Sequence, residues 1–143
     1  MPYAHFTAAY WCLLVAAILP IMCAGLAKSG TFTKPRKDGG FDNHNPRAWL
    51  ARQTDWRARA NAAQANTFEA LPFFFAAVII AHQLGALQTR VDILCFLWLL
   101  LRILFVIAYV GDMAMVRTGL WTGALLINIA ILFVGYKKAT RPI

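Results

Sequence analysis

The chain has 143 residues, 60% of them hydrophobic and only 14% charged, a balance that excludes an ordinary soluble globular domain. Its net charge is +8, but the basic residues flank apolar segments and form no separate basic domain, which argues for membrane orientation and against a nucleic-acid partner. Four stretches approach or exceed the roughly 20 apolar residues that cross a hydrocarbon core.

The first stretch covers residues 8–26. No Lys or Arg precedes it and its apolar run is longer than a signal core, so a retained helix is expected. A long polar connection follows over residues 28–56. It carries Lys28, Lys34, Arg36, Lys37, Arg47 and Arg52, and Arg57 and Arg59 come just after it. The opposite side offers Arg90 and the tail residues Lys137, Lys138 and Arg141. The positive-inside rule therefore puts the first loop in the cytoplasm and both termini on the outer face. Within that loop, two prolines, a Gly-Gly pair and aromatic residues compete with a simple solvated tether, and "NPRAWLARQ" suggests a short interfacial helix after Pro46 with Trp49 and Trp56 at headgroup level.

The remaining spans are expected at residues 62–84, 91–110 and 120–136, joined by short turns. The fold class is all-α, an integral membrane four-helix up-and-down bundle forming one domain over residues 1–143. Cys12, Cys23 and Cys95 all lie in spans, where a thiol acts as a small hydrophobe. With His5, His44 and His82 scattered, no metal site is indicated.

The second span begins with polar residues. Arg59, Asn66 and Glu69 are spaced by seven and three residues, which places them within a helix face about 80° wide. Ionisable groups at membrane depth face a bundle interior or a watery cavity. In the third span Arg102 lies mid-membrane with Tyr109 seven residues on, and Asp112 and Arg117 follow. A carboxylate partner is expected for Arg102, either Glu69 or Asp112, with Arg102–Asp112 taken as a structural ion pair. The other groups gather near one end of the bundle as an acceptor for a charged, polar ligand.

"ANTFEALP" followed by "AYVGDMAMVRTGLW" resembles the MAPEG family, the membrane-associated proteins of eicosanoid and glutathione metabolism, in its short bacterial form. Asn66, Glu69 and Pro72 match one family motif; Tyr109, Asp112 and Arg117 match the other. The resemblance extends over nearly the whole chain through helix number, loop lengths and motif order. It implies a homotrimer in a bacterial cytoplasmic membrane that binds glutathione as co-substrate between subunits and acts on lipophilic small molecules. Arg59, Asn66 and Glu69 would then bind the substrate: arginines for its carboxylates, Glu69 for its ammonium, Asn66 for a peptide group. Arg117 would hold the thiolate, with Tyr109 as a second catalytic group. Ala62 and Ala65 stand where many members carry further arginines, and Phe105 where some carry a histidine. The absent cations weaken glutathione binding by about 2 kcal/mol or more. They leave a non-catalytic membrane protein that binds lipid or small molecules as the alternative.

Overall fold

Long apolar runs in this chain satisfy their backbone by becoming helices. The computed structural model describes residues 5–137, and all regular structure among them is helical. The order is α1 (Ala8–Lys28), α2 (Pro46–Ala51), α3 (Asp55–Gln83), α4 (Gln88–Val110) and α5 (Ala114–Phe133), with a 3₁₀ turn at Arg36–Asp38 before α2. Four of these, α1, α3, α4 and α5, are long and apolar enough to cross a membrane, and the chain is an integral membrane protein built as a four-helix bundle. Lys138 and Arg141 of the basic tail lie outside the described residues.

The helices run further than the apolar spans. α3 starts at Asp55, seven residues before the expected span, and α5 starts at Ala114, six before. Hydropathy marks where lipid begins, whereas a helix extends through polar residues such as Arg57 and Arg59 that are sound helix formers.

Tight turns close both hairpins. α3 ends on Gly85, whose φ of 66° is left-handed, and the Ala86 N–H donates to the Ala81 carbonyl at 3.0 Å. α4 ends on the same motif with Asp112 in the left-handed position at φ 59°. There the Met113 N–H donates to Ala108 O at 2.9 Å and the Asp112 N–H to Tyr109 O at 3.1 Å. Both are Schellman caps that satisfy the last carbonyls of a helix.

α1 packs on α3 and α4, while α5 packs on α4 and α3. The buried residues of α1 are Leu19, Pro20 and the small residues Ala9, Cys12, Ala16, Cys23 and Ala27. The small ones let its backbone approach Ala60, Ala63, Ala77 and Ala81 of α3, as membrane helix pairs do. All three cysteines are free and buried. Between α3 and α4 the Phe74 and Trp98 rings stack with centroids 3.7 Å apart. Large apolar side chains on the outside, including Trp11, Ile21, Phe96, Leu126 and Phe133, remain exposed and suit contact with lipid.

The first loop is ordered, not a tether. Gly39 takes a φ of 88°, and a Cβ on Gly40 would collide with the Lys34 and Pro35 backbone, so the Gly-Gly pair is needed to fold the loop back on itself. The short helix after Pro46 forms, and Trp49 on it is buried against Phe41, Ala27 and Ala60. The loop thereby caps one end of the bundle, called here the loop end. Arg57 fastens it, donating to Ala27 O at 2.9 Å and to Ser29 O at 2.6 Å.

Candidate functional site

α4 presents Arg102, Phe105 and Tyr109 on one ridge, since steps of three and four residues share a helix face. The Arg102 guanidinium lies 4.1 Å from the Phe105 ring centroid, and the Phe105 and Tyr109 rings meet edge to face at 5.6 Å. Arg117, in the first turn of α5, sets its guanidinium 4.3 Å from the Tyr109 centroid. The ridge is therefore a row of cation, ring, ring, cation running from mid-membrane to the loop end, and each cation gains from the electron-rich ring face beside it.

Asn66 of α3 completes the row. Arg102, which is 1% exposed, donates to Asn66 Oδ1 and to Thr67 Oγ1, both at 3.0 Å. A guanidinium has only donors, so this bond turns the amide oxygen of Asn66 towards α4 and leaves its NH₂ free to donate elsewhere. Asn66, Phe105, Tyr109 and Arg117, with Thr118 and Trp121, line a cavity of about 260 Å³ at the loop end. Neither the Arg117 guanidinium nor the Tyr109 hydroxyl has a hydrogen-bond partner among the described residues. The first turn of α5 adds its own partial positive charge beside Arg117. Such a site attracts an anion and offers it two or three unspent donors.

The structure thus brings together Asn66, Tyr109 and Arg117. Glu69 lies one turn deeper and is exposed on the surface of α3, lining a second cavity with Asn66. Arg59 lines neither cavity; its Nε donates to the Val110 carbonyl at 3.0 Å, which ties α3 to the end of α4 and leaves its two terminal nitrogens without a partner among the described residues.

The expected Arg102–Asp112 ion pair does not form. Ten residues of helix separate the two by about 15 Å, and Asp112 is occupied as the left-handed cap of α4 and exposed. Glu69 does not pair with Arg102 either; among the described residues the ion pair is Arg36–Asp42, at 3.5 Å in the loop. Arg102 is held instead by neutral acceptors and an aromatic face. Thr67, Trp121 and Asn128 were not picked out from the sequence. Asn128 carried a signal, since it is a lone amide inside the apolar run "GALLINIAILF", and a polar side chain at that depth turns inward.

Outside the membrane segments, Asp42 has its carboxyl held below the usual range. The His44 N–H, donating to Oδ1 at 3.0 Å, is the main cause, and Arg36 adds to it.

Comparison with known families finds that the model described as the MAPEG family matches residues 8–136. No curated protein and no solved structure matches the chain.

Proposed function

This chain belongs to the MAPEG family, whose members are membrane proteins of glutathione and eicosanoid metabolism, and on that premise we propose that it is a glutathione-dependent membrane enzyme in which Arg117 holds the glutathione thiolate. The observation that carries this reading is the convergence of Arg117, Tyr109 and Asn66 on one cavity with their donors unspent. A thiol of pKa about 8.5 is mostly protonated at neutral pH, so a nearby fixed cation raises the fraction of the reactive anion. Tyr109 Oη is a second donor to the sulfur, and the Asn66 amide suits a peptide group of the tripeptide.

The thiolate then attacks a lipophilic electrophile, forming a carbon–sulfur bond as the leaving group departs. With a hydroperoxide it attacks the outer oxygen, the O–O bond breaks, and the alkoxide takes up a proton to give the alcohol. The resulting sulfenic acid condenses with a second glutathione to give the disulfide and water.

A homotrimer supports the site. Ala65, Glu69, Pro72, Ala76 and Ile79 form an exposed stripe on α3 with steps of three and four residues, continued by the half-buried Ala62. Small residues in that spacing pack helix on helix in membranes, and a carboxylate on the stripe is costly against lipid but tolerable inside an assembly. Neighbouring subunits would bring Glu69 and the free nitrogens of Arg59 towards the glutathione ammonium and carboxylates.

Calorimetric titration of the purified protein with glutathione tests the reading. Saturable binding that weakens in Arg117→Ala supports it; no heat of binding in wild type overturns it. A non-catalytic lipid or small-molecule binder is the second reading, favoured by Phe105, whose ring fills the space between Arg102 and Tyr109 where a polar group would extend the site. Binding of glutathione without turnover of any electrophile or hydroperoxide would favour it.

A further inference from the structure

The second cavity, of about 220 Å³, opens between α3, α4 and α5 and is lined by Glu69, Phe73, Trp98, Arg102, Trp121 and Asn128 among others. It is deeper than the first: Asn128 lies eleven residues, about 16 Å, along α5 from Arg117. Arg102 and Asn128 are 1% and 3% exposed, and Arg102 Nε and Asn128 Oδ1 are buried with no hydrogen-bond partner among the described residues. Native proteins seldom leave such atoms unpaired, and both residues line this cavity, so an occupant that satisfies both atoms fits it.

We infer that this cavity is a subsite for a neutral hydroxyl or hydroperoxyl group carried on an apolar chain. Arg102 Nε can only donate and Asn128 Oδ1 can only accept. An –OH or –OOH group accepts from the first through an oxygen and donates its proton to the second. A carboxylate has no proton to give and would add a second negative charge beside Glu69, while an ammonium would face the Arg102 guanidinium. Arg102 and Glu69 bring opposite formal charges to the same cavity lining, which favours a guest with no net charge. A hydrocarbon leaves both atoms unpaired. Phe73, Trp98, Ala124 and Leu125 supply the apolar remainder of the lining. Trp121 and Leu125 are exposed at the bundle surface, so a chain can enter sideways from the bilayer. Asn66 and Trp121 belong to both cavities, which sets the guest beside the candidate glutathione site. Its part in turnover rests on the glutathione reading, but the binding does not.

The test is therefore run without glutathione, in lipid discs, with three long-chain probes bearing the same mid-chain diazirine: an alcohol, a carboxylate and a hydrocarbon. After photolysis, labelled residues are mapped by peptide mass spectrometry. The alcohol should label Phe73 or Leu125 over the other two probes, and an unlabelled long-chain hydroperoxide should compete. Asn128→Leu should cut that labelling by about tenfold, the equivalent of one lost hydrogen bond of above-average strength, with labelling of the outward Ile21 and Met22 unchanged. Ala124→Leu, which fills the cavity and keeps both polar groups, should do the same, so a folding defect in one variant does not decide the matter. Equal labelling by the hydrocarbon, preference for the carboxylate, labels only on the lipid-facing surface as expected if water alone bridges the two atoms, or full labelling in both variants overturns the inference.

Discussion

The two ends of the bundle treat their polar side chains in opposite ways. At the end away from the loop, Asp92 accepts from the Ala9 N–H at 2.9 Å and from Gln88 Nε2 at 2.7 Å. His82 sits 2.8 Å from the Val78 carbonyl through Nδ1 and 3.1 Å from the Thr7 hydroxyl through Nε2, with Tyr10 stacked on its ring at 4.4 Å. Because a carbonyl only accepts, Nδ1 carries a proton. Each of these four polar residues is bonded to another part of the protein, and together they fasten α1 to α3 and α4. At the loop end, Arg117 and Tyr109 contact each other and an open cavity, with no hydrogen bond to the protein among the described residues. Spent polar groups hold a fold together, whereas unspent ones are available to a ligand. On that basis His82 and Asp92 serve the fold, and Arg117 and Tyr109 are the groups proposed for the ligand, although all four lie near helix ends.

The contrast makes paired predictions. Arg117→Ala should cut glutathione-dependent turnover by about tenfold to a thousandfold, or roughly 1.4 to 4 kcal/mol of charge stabilisation. Its thermal midpoint should stay close to wild type, because no hydrogen bond is lost. Asp92→Ala should do the reverse. It leaves the Ala9 and Gln88 donors without their acceptor and should lower stability by about 1.5 to 3 kcal/mol, read as a lower melting temperature in detergent, with the activity per folded molecule unchanged. A melting defect in the first or a specific catalytic defect in the second would collapse the distinction.

Smaller effects refine it. Tyr109→Phe keeps the ring beneath Arg117 and removes only the hydroxyl, so turnover should fall by no more than about tenfold, the worth of one hydrogen bond; a wild-type rate would confine Tyr109 to packing. Asp112→Gly replaces a side chain in the left-handed region by the residue that prefers it and should raise stability by about 0.5 to 1 kcal/mol. A loss of stability on denaturation would mean that the Asp112 carboxylate has a partner after all. Asp42, with its carboxyl lowered in the folded protein, stabilises the loop above the unfolded carboxyl value near 3.9. That contribution is lost as the pH falls through the lower folded value. Exchange of the His44 amide, corrected for its intrinsic rate, should therefore rise below about pH 4 in wild type and be insensitive to that change in Asp42→Asn.

The sequence was most legible where one property dominates. Apolar length placed all four membrane helices, and the spacing of Arg59, Asn66 and Glu69 marked α3 as the helix with a polar face. It failed where geometry between helices decides. Charge alone suggested Arg102 and Asp112 as a pair, but helical rise separates them and the turn after α4 needs Asp112 in a left-handed conformation. Arg59 matched the ligand by type yet is partly spent on a carbonyl that no sequence pattern identifies as free. Tryptophan's preference for membrane surfaces gave no sign that the folded loop would close an apolar pocket around Trp49. Asn128 is legible only in the packed bundle, where its side chain is buried between helices and its oxygen has no hydrogen-bond partner among the described residues.

The most direct check on the division between spent and unspent groups is the ultraviolet absorbance of the glutathione thiolate bound to the protein, followed against pH in wild type and in Arg117→Ala. A thiolate signal at neutral pH in wild type, shifted to higher pH by about one unit or more when the cation is removed, is the outcome expected if Arg117 holds the anion. Absence of any thiolate at neutral pH in wild type, or superimposable titrations in the two proteins, would contradict it.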